Sequence, residues 1–136
     1  MEAHFNLNDE LFEQQFATCT LDPAIFSHEA HLRLAWVHIK KYGVEKAVEN
    51  ICTQLVNFTI HLGAADKYNT TLTIAAVRAV NHFINRSAAN NFYDFIQEFP
   101  RLKFNFKDLM ASHYKTDIFK SPIAKRSYLE PESMAF

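Results

Sequence analysis

Between Gly43 and Gly63 the chain places Val44, Val48, Ile51, Leu55, Phe58 and Leu62 at alternating steps of three and four residues. That spacing matches the turn of an α-helix and lines the six side chains along one stripe, with Glu45, Glu49 and Thr53 on the other side. A helix of this kind must bury its stripe against other helices. The rest of the chain agrees, since 13 Phe and 5 Tyr with only 2 Gly and 4 Pro in 136 residues favour helices joined by short connections. The expected fold class is all-α, a compact bundle of five to six helices with an irregular C-terminal tail, formed as one domain over residues 1–136. A chain of this length buries about two-thirds of its unfolded surface without disulfides or structural metals.

Local signals divide the remaining sequence. Asn8 is a cap for a first helix that carries Asp9 and Glu10 in its first turn, buries Leu11, Phe12, Phe16 and Cys19, and ends near Thr20. Asp22 and Pro23 make a turn, and Ser27 caps a second helix that runs to Tyr42 and stops at Gly43. After a connection over residues 64–69, a fourth helix buries Leu72, Ala76, Ala79, Val80 and Phe83, with Thr73 on the same face and Arg78 and His82 pointing away. A fifth, about residues 89–98, buries Phe92, Phe95, Ile96 and Phe99 and is closed by Pro100. Asn105 caps a sixth over residues 106–113, and Ser121-Pro122 opens one or two further turns.

Composition excludes several functions. The 14 basic and 15 acidic residues are scattered and sum to a formal charge of -1, so there is no electrostatic stripe for nucleic acid or anionic lipid. No apolar run is long enough to span a membrane, and the first eight residues do not read as an export signal, so a cytoplasmic protein is expected. Cys19 and Cys52 lack paired metal-ligand spacing and read as reduced thiols on apolar helical stretches. His4, His82 and His113 stand alone and read as solvated.

The second helix carries the chemistry. At about 100° per residue, His28, His31, Ala35, His38 and Tyr42 fall within an arc of roughly 80°, opposite Arg33 and Lys40, on the side expected to face the core. A buried imidazole must be hydrogen-bonded, metal-bound or held neutral, because an unpaired buried polar group costs roughly 1 to 3 kcal/mol. Residues three apart on a helix are surface neighbours, so His28 and His31 are candidates to ligate one ion, or to act as catalytic acid–base groups. The third helix should return antiparallel to the second, which makes His61 the candidate third metal ligand. Three imidazoles with an open position suit zinc or another divalent transition ion, with Tyr68 or Thr73 completing the wall. The helix lacks the HExxH pattern, and no di-iron arrangement of carboxylates is present.

Two other readings use the same residues differently. The start of the fourth helix, with Lys67, Tyr68, Asn69, Thr70, Thr71 and Thr73, is a candidate cradle for a small anionic ligand such as a carboxylate or phosphate. In the alternative, Asn69 or Thr70 only caps that helix, the histidines are satisfied core residues, and the protein is a non-catalytic oligomerisation or partner-binding module with an apolar patch around Trp36. Arg33 and Arg126 are candidates to pair with Glu130 and tie down the tail.

The segment Phe26-Ser27-His28-Glu29-Ala30-His31-Leu32-Arg33-Leu34-Ala35-Trp36 and the segment Lys67-Tyr68-Asn69-Thr70-Thr71-Leu72-Thr73 also carry a resemblance. They resemble the two signature segments, F-[ST]-H-x-x-H-L-x-x-A-W and K-Y-H-x-T-x-T, of a family of small uncharacterised bacterial all-helical proteins. His61-Leu62-Gly63 resembles a His-Gly element between them, and Ser121-Pro122, Ala124-Lys125-Arg126 and Leu129-Glu130-Pro131 resemble the family's tail. The resemblance implies no established activity. Asn69 stands where the family more often has histidine, and asparagine orients a ligand but does not shuttle a proton near neutral pH.

Overall fold

In the computed structural model, which describes residues 1–136, the chain is all-helical, with 67% of residues in helices and no strands. The helices are α1 (Asp9–Ala17), α2 (His28–Tyr42), α3 (Val44–His61), α4 (Thr70–Ile84), α5 (Phe92–Glu98), α6 (Arg101–Phe104), α7 (Phe106–His113) and α8 (Pro122–Arg126). They gather into two compact units, Met1–Tyr68 and Asn69–Phe136. No helix is long and apolar enough to cross a membrane.

In the first unit α1, α2 and α3 pack against one another. Their junction is aromatic: the rings of Phe16, Phe26 and Phe58 stand 5.1 to 5.3 Å apart, centroid to centroid. The ends of these helices follow local chemistry. Asn8 and Ser27 accept the backbone N–H groups of Leu11 and Ala30, and Gly43 and Gly63 take the positive φ values of +85° and +69° that other residues resist. α1 closes through Cys19 at φ +59°, a left-handed position more often held by glycine. Cys19 is half-buried there and Leu11 is exposed, so the buried side of α1 narrows to Phe12 and Phe16. Along α3, Ala47, Ile51 and Phe58 are buried, whereas Leu62, beyond the last turn, is exposed.

α2 departs from the simple two-faced helix. Its residues from Glu29 to Ile39 are buried at every position except His31, and these include Arg33, on the side read as solvated, and Trp36. Packing of α1 and α3, together with the N-terminal segment laid over Glu29 and Arg33, encloses it nearly all round. Trp36 therefore offers no exposed patch. His28 and His31 are exposed, and of the three histidines on the expected stripe only His38 is buried.

In the second unit α4 packs against α8, and α6 against α7. Asn69, Asn91 and Ser121 cap α4, α5 and α8 by accepting the N–H groups of Leu72, Asp94 and Ala124. Asn105 precedes α7 without a side-chain cap, because the preceding Pro100 starts the extra short helix α6 and leaves Asn105 at its end. The tail is irregular but fastened. Tyr114 donates to the carbonyl of Leu129, the Ser133 N–H donates to the carbonyl of His113, and the His113 ring donates through Nδ1 to the carbonyl of Met134 while stacking on Phe136 at 4.1 Å. His113 is thus buried rather than solvated.

His38 is fully buried, and neither ring nitrogen has a hydrogen-bond partner. Burial pushes its pKa below the ordinary 6.5, against the pull of Glu13 and with the help of Lys41. The unfolded chain therefore takes up a proton at a pH where the folded ring stays neutral, and stability falls as pH drops below 6.5. His38→Leu should melt at pH 7 no lower than the parent and lose less of its melting temperature between pH 7 and pH 5, as followed by circular dichroism.

Candidate metal centre

Residues Ala3–Asn6 form a short 3-10 turn that carries His4 inward, where it is completely buried against α2. Its Nε2 lies 2.7 Å from Glu29 Oε1 and 3.9 Å from Glu2 Oε1. Glu29 is 4% exposed, whereas the side chain of Glu2 is 34% exposed, so the group is closed on the α2 side and open on the side of Glu2. Ser27, besides capping α2, donates its hydroxyl to Glu2 and holds that carboxylate over the first turn. Ligating atoms of Glu2, His4 and Glu29 all lie within 4.8 Å of one another, and the three could hold a metal ion.

Arg33, one turn further along α2, supports the group from behind. Nη1 donates to the carbonyl of His4 at 2.7 Å, and Nη2 donates to the carbonyl of Leu7 at 2.8 Å and to Asp9 Oδ1 at 2.9 Å. The guanidinium also stacks over Phe12, 4.7 Å from the ring centre. Nη1 lies 3.4 Å from His4 Nδ1 as well. A guanidinium has only donors, so Nδ1 is the accepting nitrogen and Nε2–H donates to Glu29. Burial, helped by the charge of Arg33, lowers the pKa of His4 against the pull of Glu29 and Glu2, which favours the neutral ring. Arg33 is thereby committed to the N-terminal segment.

The residues singled out from the sequence take other places. His31 donates from Nδ1 to the carbonyl of Ser27 at 2.7 Å and stacks on Phe26 at 3.8 Å. Although the residue is exposed, loss of water on the packed side of its ring lowers its pKa, and neighbouring His28 adds to the shift. His28 opens α2 and His61 ends α3, both exposed, and neither belongs to the Glu2–His4–Glu29 set. Lys67 ends an exposed 3-10 turn, and Tyr68 hydrogen-bonds the thiol of Cys52, whose pKa burial pushes up.

At the start of α4, the polar groups read as an anion cradle hold the chain itself. Asn69 caps Leu72 and donates through Nδ2 to the carbonyl of Ile118 at 2.8 Å, while Thr73 donates back to the carbonyl of Asn69. The Thr71 hydroxyl donates to the carbonyl of Ser127 and accepts the N–H of Leu129. Thr70, the first residue of α4, is half-buried. Asn69 thus does the work of a cap and a strap, which a histidine there would not do through the same pair of atoms.

Sequence reasoning passed over His4 because nothing adjacent to it in the chain suggests a partner; Glu29 lies 25 residues away. The available signal was Glu29 and Arg33, one turn apart on a helix otherwise rich in apolar residues. Compared with protein-family models, curated proteins and solved structures, the chain matches none of them.

Two measurements check these assignments. Arg33→Met keeps an aliphatic stem but strips the donors from two carbonyls, and should lower the unfolding free energy by about 2 to 5 kcal/mol in urea titrations. Asp9→Asn, at a half-exposed partner, should cost under about 1 kcal/mol. Asn69→Ala, losing both cap and strap, should cost about 2 kcal/mol, and Asn69→Asp, which keeps the cap but turns a carboxylate oxygen toward the Ile118 carbonyl, at least as much.

Proposed function

We propose that the protein binds a divalent transition-metal ion of the zinc type through Glu2, His4 and Glu29, and presents it to a small oxygen-bearing ligand on the open side beside Glu2. The observation that carries this reading is the gathering of three ligating atoms within 4.8 Å, two of them on side chains almost wholly withdrawn from water. Two carboxylates and a neutral imidazole would balance the charge of a divalent ion, while Arg33 and Asp9 compensate one another. A tetrahedral ion with bonds of about 2.1 Å sets its ligand atoms about 3.4 Å apart. The 2.7 Å and 3.9 Å separations around His4 Nε2 bracket that value, and all three ligating atoms lie within 4.8 Å of one another. Three protein ligands leave a position for water or substrate oxygen, which is the arrangement that supports Lewis-acid chemistry.

A second reading is favoured by Arg33. Ion binding at Nε2 moves the ring proton of neutral His4 to Nδ1, where it meets the Nη1 donor 3.4 Å away. On this reading no ion is needed: Glu29, His4 and Arg33 form a non-catalytic clasp that fastens residues 1–9 to α2.

Zinc titration of untagged protein separates the two. On the metal reading, one equivalent binds, and zinc at about 100 times its Kd adds about 2.7 kcal/mol of stability that a chelator removes. Glu2→Gln, at the half-exposed ligand, should keep the fold and weaken zinc binding at least about tenfold. Melting temperatures identical with zinc and with chelator, together with no zinc retained after dialysis, would leave the clasp.

A further inference from the structure

We infer, resting on the metal reading above, that the position left open on an ion held by Glu2, His4 and Glu29 takes a small uncharged molecule through a hydroxyl group. Charge decides the first half of this assignment. Glu2 and Glu29 together match a divalent ion, so the loaded group is neutral around a neutral His4. Arg33, the cation that acts on His4, is already held behind the group by Asp9 and by the carbonyls of His4 and Leu7. An anionic ligand therefore meets no uncompensated positive charge, and binding it leaves the site negative beside the buried carboxylate of Glu29. Met1–Tyr68 also hold nine acidic side chains against five basic ones, a balance that turns anions away over the whole unit.

Hydrogen-bonding capacity decides the second half. The carboxylate of Glu2 can only accept. The half-buried Ser27 gives its one hydroxyl proton to Glu2 Oε1 and uses one lone pair on the N–H of Ala30. A hydroxyl oxygen has two lone pairs, so Ser27 keeps one acceptor position and no donor. An ether, carbonyl or carboxylate oxygen arriving beside Glu2 finds only acceptors. A hydroxyl brings the proton that these oxygens lack.

Ser27 is thereby a positioning residue. It is joined to Glu2 Oε1, the same oxygen that stands 3.9 Å from His4 Nε2, and so adjoins the atoms that would surround the ion. Its remaining lone pair is suited to receive the proton of a bound hydroxyl and so to orient the molecule that carries it. Phe5 adds apolar surface next to the imidazole, with its half-exposed ring 4.2 Å from that of His4. A hydroxyl attached to a small apolar body matches both features.

Cobalt, whose visible absorption reports the atoms bound to it, tests the assignment in the untagged full chain. With the protein saturated in cobalt, benzyl alcohol should change the spectrum saturably with a Kd on the order of 10⁻³ M, and benzyl methyl ether and benzoate should each bind at least about tenfold more weakly. In the cobalt-loaded protein Ser27→Ala should weaken the alcohol about tenfold, and Ser27→Thr, which keeps both hydroxyl and cap, should restore it. Failure of the chain to take up cobalt removes the metal reading and this assignment with it. Cobalt uptake with benzoate or the ether bound as tightly as the alcohol overturns the assignment alone and leaves the metal reading standing. So does an alcohol Kd that Ser27→Ala does not move, or no saturable change at about 0.1 M alcohol.

Discussion

Nearly complete burial of α2 is the constraint on which the first unit turns. A helix enclosed on almost every side has no water to satisfy its polar groups, so each charged or polar side chain from Glu29 to Ile39 needs a partner within the protein. Glu29 finds His4, and Arg33 finds the carbonyls of His4 and Leu7 together with Asp9. These partners lie in the first nine residues, and that is why a short polar segment with few large apolar side chains is held in place. His38 is the exception, buried with both nitrogens unmatched. Its cost is tolerated because its neighbours on α2 bury Trp36, Val37 and Ile39, each contributing on the order of 1.5 to 3 kcal/mol of apolar burial.

The second unit solves a related problem with neutral groups. Its irregular tail cannot pair its own backbone, so side chains from preceding elements do so: Asn69 and Thr71 from the start of α4, and His113 and Tyr114 from the end of α7. Each hydrogen bond adds only about 0.5 to 1.5 kcal/mol, but leaving a buried carbonyl unmet costs more, so these straps are worth more together than their individual strengths suggest. Thr71 both donates and accepts, meeting Ser127 and Leu129 with one hydroxyl.

Local signals in the sequence mark most of the helix ends. Asn8, Ser27, Asn69 and Ser121 each accept the backbone N–H expected of a cap, and Gly43 and Gly63 take positive φ because caps and stops depend on a few adjacent residues. Pairing of distant side chains has no such local signature. The helical wheel of α2 placed His28 and His31 toward the core and Arg33 toward water, whereas Arg33 is buried and the two histidines are exposed. A wheel assumes one wet face, and α2 has almost none. The candidate ligands around His4 were hidden for the same reason, since their chemistry arises from a contact spanning 25 residues.

The same contact sets what an ion at this site would have to do. Without it, His4 Nε2–H already satisfies Glu29, so metal binding must exceed a hydrogen bond to a buried carboxylate, worth about 1.5 to 3 kcal/mol, before it adds stability. Glu2 changes that balance. It stands 3.9 Å from the same nitrogen, held by Ser27 and still partly in water, so bringing it onto an ion costs less desolvation than moving a fully buried group. Two of the three ligands come from the N-terminal segment and one from α2, so an ion there would join the two more firmly than the His4–Glu29 bond alone. Metal occupancy and docking of the first residues are therefore expected to rise and fall together.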